Sequence, residues 1–338
     1  MEINVLSLFD GISCGQLALQ RAGIKVDRYL ASEVDKYAIK ITQKNFPNTE
    51  QLGDVKNVWA KNLPKIDLLI GGSPCQDLSI AKVGRKGLDG ERSGLFWHYV
   101  RLLRTCKPKY FLLENVASMS KDNKQKITEV LGVEPIMINS ALVSAQQRKR
   151  LYWTNIPNIT QPEDKGLVLA DILENGLPCE EKARTITASY CGAILSDTLK
   201  RKRKSMIFNP YNNKLNTEKS MSLGTNPQSQ TSKCGQVVKK PIQLVGGGQA
   251  QRVYDVKGKS ICLSENGGGA KTGLYKIDLP DGQYTVRKLT PIECERLQTL
   301  PDNYSEGISN TQRYKCIGNG WTVDVIAHIF KNLRGLNE

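Results

Sequence analysis

The sequence predicts an α/β protein with a doubly wound, mostly parallel sheet, followed by a smaller and irregular β-rich domain. Short apolar runs typical of buried parallel strands occupy residues 5–9, 66–70 and 110–113. Between the last two runs, residues 94–107 place apolar side chains at helical spacing and stop at Pro108. Strands and a helix therefore alternate along this first part of the chain, as a doubly wound sheet requires.

The character of the sequence changes after residue 160. From residue 161 to residue 285 hydrophobic periodicity is weak, and Gly, Ser, Asn and Lys are frequent. Triple glycines at 246–248 and 267–269 separate short β-like pieces. We therefore expect residues 1–160 to form one domain and residues 161–285 to form a second, β-rich domain.

Regular structure is expected again in residues 286–338. Thr290, Pro291 and Glu293 have the spacing of a capping box with proline at the first helical position. A last apolar helix is predicted from about residue 322 to residue 333. Because core-like sequence flanks a basic insert on both sides, we expect residues 286–338 to pack back on the first domain and complete it.

Composition limits the class of protein. A length of 338 residues is enough for one substantial core and a smaller appended domain. The first residues lack the basic and apolar regions of a signal peptide, and no apolar run approaches the ~20 residues of a membrane helix. We therefore expect a cytoplasmic protein with no membrane partner.

The cysteines do not form a disulfide or zinc pattern. Their number, nine, is odd, no Cys-x-x-Cys pair occurs, and the two histidines, His98 and His328, are far apart in the sequence. We expect no metal site, and most of the cysteines should be small apolar core residues. One cysteine can therefore be a reactive residue that takes part in catalysis.

The positive charge is concentrated in the second predicted domain. The net charge is +15, and residues 196–240 hold ten Lys and Arg against two acids, so +8 lies in this stretch. The densest run is Lys200, Arg201, Lys202, Arg203 and Lys204. Such a run is more often a solvated loop than a binding site, so phosphate binding is favoured only because other residues indicate a nucleic acid.

Open parallel sheets bind ligands at the carboxyl ends of their strands, where this chain carries unusual residues. After the first strand, residues 9–15 read Phe-Asp-Gly-Ile-Ser-Cys-Gly, a glycine-bearing turn into a helix. The spacing is not that of a dinucleotide fingerprint, which disfavours NAD and a generic oxidoreductase. Glu33 and Asp54 follow, and each would be an ordinary capping or surface acid in isolation. In series after the turn, they predict a nucleoside pocket, with carboxylates for ribose hydroxyls and an adenine amino group.

A cysteine and a glutamate follow two neighbouring predicted strands. Cys75 lies on a tight Gly/Pro turn after residues 66–70, near a helix N-terminus that favours the thiolate. Glu114 follows residues 110–113, and a cationic cluster at 146–150 precedes another predicted strand. The thiol and the acid would then face each other across a single pocket.

These groups suit methylation of an unreactive aromatic carbon. Carbon-5 of cytosine is a poor nucleophile, but addition of a thiolate at carbon-6 makes it enamine-like, and an acid near N3 stabilises the developing charge. Attack on a methyl sulfonium, followed by loss of the carbon-5 proton, then releases the cysteine. The base must leave the duplex for this reaction, which requires base flipping.

Eight sequence blocks occur in the order found in the DNA cytosine-5 methyltransferase family. The resemblance of this chain to that family covers nearly all of the sequence except the basic insert. The blocks are Phe9-Asp-Gly, Glu33-Val34, Asp54-Val55, Gly72-Ser-Pro-Cys75-Gln, Glu114-Asn-Val, Gln146-x-Arg148-x-Arg150, the stretch 287–298 and Gly318-Asn-Gly. Several blocks are most similar to the animal de novo enzymes, whereas the length and the insert resemble a bacterial or phage enzyme.

The resemblance implies a Rossmann-like, S-adenosylmethionine-dependent methyltransferase sheet with four catalytic residues. Cys75 would be the nucleophile, and Glu114 would hydrogen-bond N3 and the amino group of the flipped cytosine. Arg148 would contact the O2 atom of the base, and Arg150 would support the catalytic loop.

The resemblance also implies S-adenosylmethionine as the cofactor. Phe9 would stack on the adenine, Glu33 would hold the ribose, and Asp54 would contact the adenine amine. Asn319 would lie near the methionine end. The other cofactor-binding positions are Asp10, Gly11, Ile12, Ser13, Val34, Val55, Pro74, Leu95 and Gly320. Ser13 stands where the family often has a second glycine.

Double-stranded DNA is the partner that the resemblance implies. Residues 76–93 would form the loop that closes over flipped DNA, and residues 161–285 would be the target-recognition domain that reads bases from the major groove. The candidate DNA contacts are Ser79, Arg85, Lys86, Arg92, Lys200, Arg201, Lys202, Arg203 and Lys204. We expect a monomer. A restriction endonuclease for the same site is a candidate functional partner, without a stable complex.

Two alternatives remain open. One is an enzyme of the same chemistry that acts on tRNA, against which the large basic insert and the Ser-Pro-Cys sequence at 73–75 favour DNA. The other is a catalytically inactive DNA-binding regulator on the same fold. Such a regulator should have lost the nucleophile or the acid, yet Cys75 and Glu114 are both present.

Overall fold

A seven-stranded sheet forms the centre of the computed structural model, which describes residues 2–73, 93–174 and 289–336 and short strands between 184 and 287. Its strands are β1 (Ile3–Leu8), β2 (Val26–Ser32), β3 (Glu50–Gln51), β4 (Leu68–Gly72), β5 (Tyr110–Val116), β6 (Ile136–Asn139) and β7 (Lys149–Thr154). The strand order is β3-β2-β1-β4-β5-β7-β6. Strands β1 to β5 pair in parallel, and β7 lies antiparallel between β5 and β6. The predicted doubly wound α/β sheet is confirmed.

Helices pack on both faces of this sheet. The helices of the described residues are α1 (Cys14–Ala22), α2 (Lys36–Asn45), α3 (Phe96–Cys106), α4 (Lys121–Leu131), α5 (Pro291–Leu297), α6 (Asn310–Asn319) and α7 (Val323–Phe330). Helices α1, α2 and α7 bury Leu17, Ile41 and Ile326 against one face, while α3 and α4 bury Tyr99 and Ile127 against the other. Cover on both faces explains why the strands are nearly continuous apolar runs. Among the described residues, none of the helices is long and apolar enough to cross a lipid bilayer.

The strands end differently from the prediction at the edge where ligands are expected. β1 stops at Leu8 rather than at residue 9, because Phe9 has a left-handed φ of 58°. β4 starts two residues later than predicted and continues through Gly72, which pairs with Glu114 of β5. β5 continues to Val116 rather than stopping at residue 113, because β7 pairs with its last residues. Glu114 therefore lies within a strand and not in the turn after it.

The predicted helices are present with small changes in their bounds. α3 begins at Phe96, two residues later than predicted, and ends at Cys106. The last apolar helix, α7, is shorter than the predicted span 322–333 and packs against α1. Arg21 of α1 donates to Asp324 of α7 at 2.7 Å. The C-terminal helix is therefore part of the layer that covers the sheet.

The capping box predicted at the start of α5 is confirmed, and it does more than cap the helix. Thr290 Oγ1 accepts from the Glu293 amide at 3.2 Å, and Glu293 Oε2 accepts from the Thr290 amide at 2.8 Å. The other carboxylate oxygen accepts from the Glu174 amide at 3.0 Å, and Glu293 is fully buried. One carboxylate therefore joins the two ends of the stretch 175–288, which is called the insert below.

The insert contains short strands, in agreement with the β character of its sequence. They are β8 (Arg184–Thr185), β9 (Ile207–Phe208), β10 (Leu215–Asn216), β11 (Gln243–Val245), β12 (Val253–Asp255), β13 (Lys259–Ser260), β14 (Leu274–Asp278) and β15 (Tyr284–Arg287). β11, β12, β14 and β15 form one sheet. Before the insert, Leu169 and Ile172 are buried with residues of α5 and α6. We therefore propose that the second domain begins after residue 174 rather than at residue 161.

Candidate active site

The turn after β1 is the first part of the site. Gly11 has a φ of 61°, and a Cβ placed on it would meet no atom within 4 Å, so its backbone faces open space. The Gly11 amide donates to Glu33 Oε2 at 2.8 Å, which joins the turn to the end of β2. The hydroxyl of Thr42 donates to the Gly11 carbonyl at 3.3 Å, and that of Tyr304 donates to the Ile12 carbonyl at 2.7 Å. The turn is held from several sides while one face stays open.

Asp10 turns its side chain inward from this turn. Its carboxylate accepts from the hydroxyls of Ser7 at 2.6 Å, of Tyr29 at 2.8 Å and of Ser13. The residue as a whole is half-buried, but its carboxyl group is buried. This burial raises the pKa of Asp10 to about 6, and the hydroxyl donors oppose part of that rise. Ser13 has a left-handed φ of 57°, which favours glycine. The hydrogen bond to Asp10 therefore stabilises a serine in a conformation that a glycine adopts without strain.

The two acids predicted for a nucleoside pocket follow β2 and β3. Glu33 Oε1 accepts from the amides of Val34 at 2.7 Å and Asp35 at 2.9 Å, which fixes the carboxylate. Asp54 accepts from the Lys56 amide at 2.9 Å. Val34 is 71% exposed, although it is apolar. This edge of the sheet therefore offers an exposed apolar side chain beside two fixed carboxylates.

The C-terminal segment reaches the site through the loop that joins α6 to α7. Lys315 of α6 pairs with Asp35 at 2.6 Å, one helical turn before the exposed Asn319. Gly320 is buried, and a Cβ placed on it would lie 3.1 Å from the sulfur of Cys14 at the start of α1. The loop therefore packs directly on the helix that follows the β1 turn.

The remaining cofactor positions differ in what they can offer. Ile12 and Val55 are buried in the core, so their side chains offer no exposed surface to a ligand. Phe9 and Leu95 are half-buried and pack at the border of the core that α3 covers. These two side chains can therefore contribute apolar surface at the edge of a pocket.

Glu114 has an ion-pair partner at one of its oxygens and a hydrogen-bond donor at the other. Arg150 Nε lies 2.8 Å from Oε1, and the Trp321 indole donates to Oε2 at 3.1 Å. The Glu114 side chain is 10% exposed, so it remains accessible. Gly72 lies beside this contact, because a Cβ there would be 2.9 Å from Trp321 Nε1 and 3.0 Å from Glu114 Oε2. The arrangement presents an oriented acid at the carboxyl end of β5, next to the end of β4.

The structure separates the two arginines that the sequence pattern pairs. Arg150 lies against Glu114, whereas Arg148 is only 4% exposed. Arg148 Nη2 donates to the carbonyls of Gly318 at 3.3 Å and Gly320 at 3.0 Å. The resemblance implies that Arg148 contacts the base and that Arg150 supports the catalytic loop, most of which lies outside the described residues, so both roles stay predictions. Arg150 is placed beside the acid, and Arg148 is placed to support a loop.

Several predicted site residues lie outside the described residues. They are Pro74, Cys75, Ser79, Arg85, Lys86, Arg92, Lys200, Arg201, Lys202, Arg203 and Lys204. Their roles stay predictions. Among the cysteines that the structure does describe, burial raises the pKa of both Cys14 and Cys316 to about 12, so neither is a thiolate at neutral pH.

Sequence reasoning missed Trp321, Tyr29 and Ser7 as residues of the site. Trp321 donates to Glu114 across 207 positions of the sequence, and the other two donate to Asp10. A signal for Trp321 was present, because it directly follows the Gly-Asn-Gly block at 318–320. Nothing in the sequence indicates that the hydroxyls converge on Asp10.

Comparison with known proteins identifies relatives along the whole chain. The family model described as C-5 cytosine-specific DNA methylase matches residues 3–335. The type II methyltransferase M.HhaI of Haemophilus parahaemolyticus is 29% identical, with 98% of this chain and 94% of that protein covered. The orphan methyltransferase M.SPRI of Bacillus phage SPR is 28% identical, with 98% and 97% covered. The structure of the Entamoeba histolytica methyltransferase EhMeth superposes with a TM-score of 0.66 at 17% identity, over 100% of both chains, and this likeness is one of fold.

Proposed function

Because the chain belongs to the C-5 cytosine-specific DNA methylase family, we propose that it transfers a methyl group from S-adenosylmethionine to carbon-5 of cytosine in a specific double-stranded DNA sequence. The placement of Glu114 carries this proposal. The acid is oriented by Arg150 and Trp321 at the carboxyl end of the sheet. It lies beside Gly72, three residues before Cys75 in the sequence.

The residues at the ends of β1, β2 and β3 fit S-adenosylmethionine. Glu33 is proposed to accept the ribose hydroxyls, and Asp54 the adenine amino group. Phe9 and the exposed Val34 would contact the adenine ring, and the open backbone at Gly11 leaves room for the rest of the molecule. When bound, the cofactor supplies a methyl group activated on a sulfonium.

Glu114 and Arg150 are proposed to bind the flipped cytosine together. The carboxyl group accepts from the amino group of the base and holds a proton at N3, which stabilises the charge that develops when carbon-6 is attacked. Arg150 lies beside Glu114 and is a donor suited to O2 of the same base. Arg148 is proposed to hold the loop between α6 and α7 instead of contacting the base.

Cys75 is proposed as the nucleophile. Its thiolate forms a bond to carbon-6, and the electron pair that moves to carbon-5 takes the methyl group. A base then removes the carbon-5 proton, and the sulfur–carbon-6 bond breaks to return the thiolate and leave 5-methylcytosine. The two described cysteines whose pKa is raised to about 12, Cys14 and Cys316, are poor alternatives.

The insert and residues 76–93 are proposed to bind DNA, with the basic run at 200–204 contacting phosphates. The Glu114 side chain is only 10% exposed, which supports the proposal that the cytosine leaves the duplex by base flipping to reach it. The protein is proposed to act as a monomer. An endonuclease for the same sequence would be a functional partner rather than a bound subunit.

Bisulfite sequencing tests the reaction and its substrate. The protein is expressed in a bacterial host that lacks cytosine methylation, and both genomic DNA and tRNA are sequenced. We expect protected cytosines in one short DNA sequence throughout the genome. Protection in tRNA alone would replace DNA by tRNA as the substrate, and protection in neither would contradict the proposal.

The covalent step is tested with an oligonucleotide that carries 5-fluorocytosine at the target found by sequencing. Fluorine replaces the proton whose loss releases the enzyme, so the wild type should form an adduct that survives denaturation. Cys75→Ser should form none, because a serine hydroxyl is far less nucleophilic than a thiolate. Equal adduct yields from both proteins would remove Cys75 from the mechanism.

A further inference from the structure

We propose that Trp321 is a positioning residue for methyl transfer, because its indole N–H orients the carboxyl group that meets the flipped base. The inference rests on the proposed function and adds a residue near the end of the chain to its machinery. The contact is direct, since Trp321 Nε1 donates to Glu114 Oε2 at 3.1 Å.

A contact at each of its two oxygens restricts the orientation of a glutamate carboxylate. The last torsion of the side chain is broad, so one donor leaves the carboxylate plane free to turn. Arg150 lies at Oε1 and Trp321 at Oε2, and the two come from separate elements, β7 and the loop between α6 and α7. Without the indole donor, the carboxylate could rotate about its contact with Arg150.

The backbone around the indole leaves space for this contact. A side chain at Gly72 would intrude on the hydrogen bond, because its Cβ would lie 2.9 Å from Trp321 Nε1 and 3.0 Å from Glu114 Oε2. At Gly15, on α1, a Cβ would lie 3.4 Å from Trp321 Cζ3 and 2.5 Å from Ile70. The indole therefore lies close to β4, β5 and α1 at once.

Trp321 is also fixed through its neighbours in the sequence. The Gly320 carbonyl accepts from Arg148 Nη2 at 3.0 Å and from Gln298 Nε2 at 3.1 Å. The Thr322 hydroxyl donates to Gln298 Oε1 at 2.8 Å. Because residues on both sides are held by buried partners, the indole donor is in place before a base arrives, as preorganised catalysis requires.

An NMR experiment tests the contact without relying on turnover. The chain has four tryptophans, so the ¹⁵N-labelled protein has four indole N–H signals, and Trp321→Phe identifies its own. Glu114→Gln should move the Trp321 signal upfield, because a neutral amide oxygen accepts more weakly than a carboxylate. The signals of the exposed Trp59 and Trp97 should stay in place. An unmoved Trp321 signal would overturn the inference.

Single-turnover methyl transfer to unmethylated plasmid DNA tests the consequence. Trp321→Phe keeps an aromatic ring but removes the donor, so we expect the rate to fall about tenfold, with the cofactor Kd from calorimetry within about twofold of the wild type. Trp97→Phe is the matched control and should be unchanged. An undiminished rate in Trp321→Phe, or a loss of cofactor affinity that accounts for the slower rate, would overturn the inference.

A double-mutant cycle separates positioning from a general structural effect. In the Glu114→Gln protein, Trp321→Phe should have little further effect on the rate, because the group that it orients has already been changed. If the rate reductions caused by Glu114→Gln and Trp321→Phe simply multiplied in the double variant, the inference would be overturned. A wild-type protein that methylates neither DNA nor RNA would contradict the proposed function instead, and the NMR result would still decide whether Trp321 holds Glu114.

Discussion

Arg148 Nη2 donates to the carbonyl of Gly320 at 3.0 Å, across 172 positions of the sequence. A second bond from the same nitrogen reaches Gly318 at 3.3 Å, and the arginine is buried. The loop that carries Trp321 is therefore held in place by a residue that directly precedes β7. This relationship gives Arg148 a structural contact at the site and is consistent with the proposal that Arg150 contacts the base.

Lysine substitutions at the two arginines should have different consequences. Arg148 is buried, and a lysine ammonium is more strongly hydrated than a guanidinium, so Arg148→Lys should lower the free energy of unfolding by about 2 kcal/mol. Arg150→Lys should change the free energy of unfolding by less than about 1 kcal/mol but lower kcat about tenfold, because a lysine keeps the charge beside Glu114 but not the planar guanidinium. Urea denaturation and methyl-transfer rates measure both effects.

The control for both substitutions is Arg28→Lys, at the exposed pair with Glu50, and it should change neither the free energy of unfolding nor the rate appreciably. A greater loss of stability at position 150 than at 148 would contradict the assignment.

Glu114→Gln should bind the cofactor and DNA but transfer methyl groups at least about 100-fold more slowly, because the acid acts mainly in the transition state. Calorimetry with S-adenosylmethionine, DNA binding and single-turnover rates separate these steps. Glu129→Gln, at an exposed glutamate of α4, is the matched control. A variant that simply failed to bind cofactor would show that Glu114 has another role.

The sheet and the positions of the acids could be predicted from the sequence, because both follow from local patterns. Apolar runs mark strands, and residues near the end of each strand mark the edge where ligands bind. Contacts between distant segments carry no such mark, so neither the bond from Trp321 to Glu114 nor the separate places of Arg148 and Arg150 could be predicted. The extension of β5 to Val116 likewise depends on its antiparallel neighbour β7.

Asp10→Asn should change how stability depends on pH. The folded protein keeps a proton on Asp10 up to about pH 6, whereas the ordinary value for the unfolded chain is 3.8. The free energy of unfolding of the wild type should therefore fall by on the order of 3 kcal/mol as pH rises from about 4 to about 6. The variant, which has no carboxyl group at this position, should not show this fall. Relative to the wild type, Asp10→Asn should gain stability across that window and keep a constant difference above it. Urea unfolding at a series of pH values measures the difference, and a flat difference would contradict the burial of an ionisable Asp10.

The matched control is Asp302→Asn, for which the pH dependence of the free energy of unfolding should have the opposite sign. Arg296 pairs with Asp302 at 2.6 Å and lowers the pKa of Asp302. The contribution of this pair is present at neutral pH and is lost as pH falls, so Asp302→Asn should approach the wild type in acid. Because the pair is exposed, its effect should also be smaller than that of Asp10.

Replacing Lys200, Lys202 and Lys204 by glutamine should weaken binding to all DNA sequences alike. Each lost phosphate contact should reduce the slope of log K against log salt by about 0.9. The target found by bisulfite sequencing should stay the same, because phosphate contacts position the protein without specifying a sequence. The matched control replaces Lys121, Lys124 and Lys126 of α4. A salt slope that did not change, or that changed equally in the control, would remove the 200–204 run from the DNA interface.

Glu293 anchors both ends of the insert, through the amides of Glu174 and Thr290. In polymer terms the insert is a loop whose two ends are brought together at this carboxylate. The entropy of closing such a loop grows only with the logarithm of its length, so doubling the length would cost about 0.6 kcal/mol. Stretches of very different size could therefore be accommodated at this anchor with little change in the stability of the sheet, and the proposed recognition sequence could diverge while the proposed chemistry stays the same.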